Sequence, residues 1–339
     1  MTKKSINLAL QGGGAHGALT WGVLDKLAED GRFDITGLSG TSAGAMNAIV
    51  YADGLMENGN DGAREKLEKF WWEISKAGMI FSPVKYDRFT PFDMHPMMAT
   101  SYFFYEMLTH SLSPYQFNPA NFNPLRTILE RTVDFERIHT CDRTNMFVCA
   151  TNIERGIPRV FRNEEITVEA VLASACLPDL FQAVEIDGEH YWDGGYTGNP
   201  ALYPLIYGTG CTDFLIVHIN PIVRPGVPKT AKDIMNRLNE VTFNASLIKE
   251  MRAIAFVQKL INQEWIKDEY KDKLKKIRMH AIRADEEMRE LGIASKFASD
   301  WSFLTYLRDL GRFRAEEWLK RHYKDIGTRA SIDIHEEYL

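Results

Sequence analysis

The chain has 339 residues, of which 45% are hydrophobic and 25% charged, and carries a formal net charge of -6 at pH 7. That length and apolar content suffice to bury a large core, as one main α/β domain with a helical extension. An acidic balance with a pI near 5.9, and no dense basic run, argues against nucleic acid as the main partner, and nothing in the sequence points to a strongly charged membrane patch.

Met1-Thr2-Lys3-Lys4-Ser5 passes without an apolar signal segment into Ile6-Asn7-Leu8-Ala9-Leu10, which predicts a buried first strand. No run of about eighteen apolar residues follows anywhere, so the expected location is the cytoplasm, with signal-independent secretion left open. The strand leads into Gln11-Gly12-Gly13-Gly14-Ala15-His16-Gly17, and Ala18 to Leu27 has helical periodicity. Strand, glycine loop and helix make an anion cradle: amides and the helix's positive end converge on a negative group, and missing side chains let it approach. The anion is either a phosphate or a developing oxyanion. Gly12, Gly14 and Gly17 also satisfy Gly-x-Gly-x-x-Gly, and Asp30 or Asp34 would serve as the acid about twenty residues on, so a dinucleotide loop stays in view. A Walker loop is excluded, because no Gly-Lys-Ser or Gly-Lys-Thr follows.

Phe33 to Leu38 is short and extended in character, and Ala45 to Ala52 has strong helix formers with apolar residues at three- and four-residue steps. Between them lies Gly40-Thr41-Ser42-Ala43-Gly44. Gly-x-Ser-x-Gly at a strand-to-helix turn presents its serine in a strained, exposed position, which makes Ser42 a candidate nucleophile. A structural serine in a tight turn is the alternative. From Ile80 to Pro124 prolines (Pro83, Pro91, Pro96, Pro114, Pro119, Pro124) interrupt an aromatic- and methionine-rich stretch and prevent one long helix. This insertion is either a lid over an acyl chain, with Met97 to Tyr105 at its centre, or an excursion packed on the domain.

Val184-Glu185-Ile186-Asp187-Gly188 reads as a hairpin arm, followed by Tyr191-Trp192-Asp193-Gly194-Gly195. An aspartate beside two glycines at a strand end can approach a nucleophile closely. Cys211 to Asn220 predicts another core strand, and the prolines of Pro221 to Pro228 mark a boundary. Beyond it, Ile234, Leu238, Val241, Leu247, Ile248, Met251, Ile254, Val257, Leu260 and Ile261 keep helical spacing, favouring core or subunit contact over a membrane-lying face. Glu264 to Lys276 is a charged, solvated face; Arg278 to Ile282 predicts a late strand and Trp301 to Tyr323 an amphipathic helix. The four cysteines, Cys141, Cys149, Cys176 and Cys211, lack CxxC spacing and neighbouring histidines, so buried free thiols are expected and metal binding is not.

Taken together, the glycine loop, the Gly40–Gly44 elbow and Asp193-Gly194-Gly195, in this order, resemble the patatin-like phospholipase family over roughly residues 5 to 205. The stretch from Ala173 to Phe181 also resembles a family segment that precedes the aspartate. The resemblance implies a three-layer α/β fold, a mostly parallel central sheet flanked by helices, with residues 1-220 as catalytic domain; the proline boundary and the helical spacing beyond it make 221-339 a mainly helical extension. It implies Ser42 as nucleophile and Asp193 as its partner, no cofactor, and Gly13 and Gly14 amides within a Gly12–Gly17 loop holding the oxyanion. The implied substrate is a phospholipid or other acyl ester, with transient membrane contact and homo-oligomerisation through the C-terminal helices left open. One departure is His16, where many members carry arginine or lysine; it would tune the loop or serve as the base of a Ser-His-Asp triad. His218, His280 and His322 are later candidates for that base, although His218 sits in an apolar strand as a core histidine would. A nucleotide- or acyl-ligand-binding protein without turnover, and an esterase or thioesterase on the same fold, remain the alternatives.

Overall fold

A computed structural model describes residues 3–81, 111–271 and 273–339. The central part of the proline- and aromatic-rich insertion, Met97 to Tyr105 included, lies outside the described residues. The sheet is built from β1 (Lys4–Leu10), β2 (Phe33–Thr41), β3 (Asn145–Asn152), β4 (Ile157–Arg162), β5 (Val184–Ile186), β6 (Glu189–Asp193), β7 (Asp213–Val217) and β8 (Arg278–Ile282). Its order is β5-β6-β3-β2-β1-β7-β8, with β4 also paired to β3. β1, β2, β3, β7 and β8 are parallel, whereas β4 and β6 pair antiparallel with β3, and β5 with β6.

Phe214 to Val217 of β7 reads as a continuous apolar run, and Ile6 to Leu10 of β1 is broken only by Asn7, because both faces of these strands are covered. Ile6, Leu8 and Leu10 of β1 and Leu215 and Val217 of β7 enter one core, while Ala9, Phe214 and Ile216 enter the other. The first core is closed by α1 (Gly17–Asp30), α2 (Ala43–Phe81), α3 (Pro124–Thr132), α4 (Val168–Ser174) and, from the far end of the chain, α6 (Trp301–His322). The second is closed by α5 (Ala231–Asn262), through Leu247, Met251 and Ile254. Gly31 ends α1 in the left-handed conformation, φ 70°, and donates back to the Leu27 carbonyl. Helix α2 is broken at Asn58 and Gly59, whose backbones leave the helical region.

The last third of the chain is woven into this framework. β8 extends the sheet beside β7, and α6 lies on α1 at a crossing made by two glycines. A methyl group on Gly22 would stand 1.9 Å from the Arg308 carbonyl oxygen, and one on Gly311 2.1 Å from that of Leu19. The apolar stripe of α5 divides: Leu247, Met251 and Ile254 are buried, but Ile234, Leu238 and Val241 are exposed. Burial follows membership of the second core, which Ile234, Leu238 and Val241 do not join.

Candidate active site

Strand β3 brings the elbow and the aspartate together. One of its edges is paired with β4 from Phe147 to Asn152; along the other, Thr41 of β2 pairs with Cys149 and Asp193 of β6 pairs with Ala150. Two consecutive residues of one strand therefore fix the chain beside Ser42 and the chain that carries Asp193. The β5–β6 hairpin turns at Asp187 and Gly188, with φ 54° and 80°. Two successive positive φ values match the twist of a two-residue hairpin, and Asp-Gly is a favoured pair for them.

Gly40 and Thr41 end β2, Ala43 and Gly44 open α2, and Ser42 between them has φ 55°. A positive φ on a serine is strained, as a nucleophile elbow requires. Ser42 is 8% exposed. Its amide donates to Ser174 Oγ at 2.9 Å, and Ser174 Oγ donates onward to the Cys149 carbonyl at 2.6 Å, so α4 braces the elbow against β3.

Asp193 is fully buried. Its Oδ1 accepts from the Gly195 amide at 2.7 Å, while Oδ2 has no hydrogen-bond partner of ordinary geometry. Burial drives its pKa up to about 6, against the opposing pull of the Gly195 amide, the Ser42 hydroxyl and the Lys296 charge. Gly194 packs on the Cys149 carbonyl and Gly195 on the Phe243 ring.

The glycine loop touches the elbow: a methyl group on Gly12 would stand 2.7 Å from Ser42 Cβ. The Gly12 amide donates to Asn199 Oδ1 at 2.7 Å, and its carbonyl accepts from Asn220 Nδ2 at 3.0 Å. Gln11 Oε1 accepts from the amides of Ile219 and Asn220 at 2.8 and 3.0 Å, tying the loop to the end of β7. Gly14 has φ 58° and lies under the Lys296 carbonyl, with no room for a side chain. Gly14, Ala15 and His16 form a single 3-10 turn before Gly17 opens α1.

His16 is buried, with Nε2 2.6 Å from Ser295 Oγ. The Ser295 hydroxyl is spent on the Gly292 carbonyl, so His16 Nε2–H is the donor. Burial, followed by the Lys296 charge, lowers its pKa well below the ordinary value and keeps the ring neutral. It is thus neither a fixed charge in the loop nor a partner of Ser42. His218 pairs with Tyr338, His280 with Asp213 and Ser331, and His322 with Asp325. Among the described residues no histidine hydrogen-bonds to Ser42 or Asp193.

Asp30 and Asp34 pair with Arg32 and Arg143, and both lie at the opposite end of β2 from the glycine loop. A ribose-binding acid would have to lie at the loop's end of the sheet. Cys149 and Cys176 are buried free thiols, and burial pushes Cys176 up to about 12; Cys141 and Cys211 are half-buried. Ser174, within the stretch from Ala173 to Phe181, takes part in the site, and so do Asn199, Asn220 and Lys296, which no motif announces.

Parallel strands feeding a serine elbow and a glycine loop at one end of the sheet define an α/β fold with a buried Ser–Asp centre. A family model described as patatin-like phospholipase matches residues 8–206, more than half of the chain, and the chain belongs to the patatin-like phospholipase family. Among solved structures, the crystal structure of VipD from Legionella pneumophila aligns at 14% identity with a TM-score of 0.37, covering 92% of this chain and 67% of that one. A comparison with curated proteins gave no match. Among the described residues no helix is long and apolar enough to cross a membrane.

Proposed function

We propose that the protein hydrolyses carboxylic esters of phospholipids or related lipids through Ser42 and Asp193. The observation that carries this reading is a strained Ser42 whose hydroxyl acts on the buried Asp193, with the chain beside Ser42 and the chain that carries Asp193 both fixed by β3. An ordinary aspartate is too weak a base near neutrality; one raised to about 6 is ionised at pH 7 yet binds a proton far better. Ser42 Oγ attacks the ester carbonyl carbon while its proton passes to Asp193. Because the Gly12 amide is committed to Asn199, the Gly13 and Gly14 amides hold the tetrahedral oxyanion. Asp193 returns the proton to the departing alcohol, leaving an acyl ester on Ser42. A water molecule then attacks that ester, its proton passing to Asp193, and the fatty acid departs as Ser42 is regenerated.

The test is hydrolysis of a medium-chain p-nitrophenyl ester and of phospholipid vesicles by wild type, Ser42→Ala and Asp193→Asn. Each variant should lose at least about 100-fold in kcat on both substrates. Activity surviving in either removes that residue from the mechanism. Ester cleavage without phospholipid cleavage would narrow the substrate to a smaller acyl ester or thioester.

A further inference from the structure

The C-terminal third, beyond the family-matched residues, places one cation against both halves of the candidate centre. Lys296 is half-buried, and its Nζ donates to Asn220 Oδ1 at 2.8 Å and Asn239 Oδ1 at 2.6 Å. Asn220 in turn donates to the Gly12 carbonyl at 3.0 Å, and the Lys296 carbonyl rests on Gly14. On its other side the ammonium lies 5.0 Å from the centre of the Phe243 ring, and that ring packs on Gly195. The lysine side chain is therefore one residue removed from the oxyanion loop and one from the Asp-Gly-Gly motif.

We propose that Lys296 is the positioning residue of this site, a fixed positive charge that steadies the Asp193 carboxylate and the oxyanion formed over the glycine loop. The proposal rests on the hydrolase reading above. The other ionisable groups facing Lys296 do not take over this role: His16 is neutral, and Glu240 is held by Arg224 and Arg237. The two asparagine carbonyls that receive the ammonium are uncharged, so its field is not cancelled where it is anchored. Burial lowers the Lys296 pKa to about 8, with Glu240 and Asp193 pulling it back up. Its charge is then present through neutrality and lost above about pH 8.

The experiment is the pH dependence of p-nitrophenyl ester hydrolysis, from about pH 5 to about pH 10, by the full chain and by Ser42→Ala, Lys296→Gln and Lys296→Arg. If Ser42→Ala still cleaves, the hydrolase reading itself falls. If it is silent, Lys296→Gln should show an acid-side midpoint of kcat/KM higher by about half a unit or more and a kcat lower by about tenfold, with KM within about twofold. Lys296→Arg should keep the acid midpoint and carry activity past the alkaline fall of wild type. An unshifted acid midpoint in Lys296→Gln overturns the proposal, whether or not the rate falls, because a merely structural prop would not move it. If Lys296→Gln fails to fold by circular dichroism, alkaline limbs that coincide in wild type and Lys296→Arg overturn it instead.

Discussion

At the scale of single residues, the candidate base is held in a state that costs stability. Asp193 has a folded pKa of about 6 against an ordinary 3.8, so the folded chain binds a proton more readily than the unfolded chain. The sign follows: this contribution favours folding at low pH and is lost as pH rises from 3.8 to about 6. At pH 8 the buried carboxylate opposes folding by roughly 3 kcal/mol at most. Asp193→Asn should therefore be inactive yet melt a few degrees higher than wild type at pH 8, with the difference vanishing near pH 4. Calorimetry at the two pH values checks this; equal melting temperatures at both would show that Asp193 is not raised. Lys296 is opposed by burial in the same way, and the two charges relieve each other across the site.

At the scale of elements, the site depends on how α4, β2, β3 and β6 meet. Ser174→Ala removes the acceptor of the Ser42 amide and the donor to Cys149 O together, leaving two buried backbone groups unsatisfied. The expected cost is about 2 kcal/mol in denaturant unfolding. A fall in kcat exceeding any rise in KM should accompany it, because the elbow loses its brace; unchanged kcat would show that the elbow holds its shape alone. Much of this level was legible in the residues. The apolar runs gave β1 and β7, Asp187-Gly188 gave the hairpin, and the small residues around Ser42 gave the elbow. Asn199, Asn220 and Lys296 were not legible, because hydrogen bonds that span from 57 to 208 residues leave no periodicity and no spacing behind. His16 misleads for a related reason. Its place in the loop suggests a charge or a base, whereas burial beside Ser295 and Phe303, followed by the Lys296 charge, keeps the ring neutral.

At the scale of the whole molecule, the C-terminal third closes the core as well as flanking the site. α6 approaches α1 through Gly22 and Gly311 so closely that the backbones touch. Gly311→Val must push the helices apart and should lower stability by about 3 kcal/mol or more, read as a drop in the denaturant midpoint. Because the segment that carries Lys296 lies just ahead of α6, that variant should also lose ester hydrolysis disproportionately below its melting point. Retained stability would mean that the crossing adapts. The stripe on α5 shows the limit of periodicity at this scale: spacing alone does not tell that Leu247 joins the second core while Leu238 meets solvent.

The pairing of Thr41 with Cys149 and of Asp193 with Ala150 makes β3 a ruler. The register points of the two chains lie one strand step apart on β3, about 3.3 Å, whatever the length of chain that runs between them. Long excursions can grow or shrink on either side of β3 without altering that interval. A slip of a single residue along β3 would instead turn Asp193 to the opposite face of the sheet.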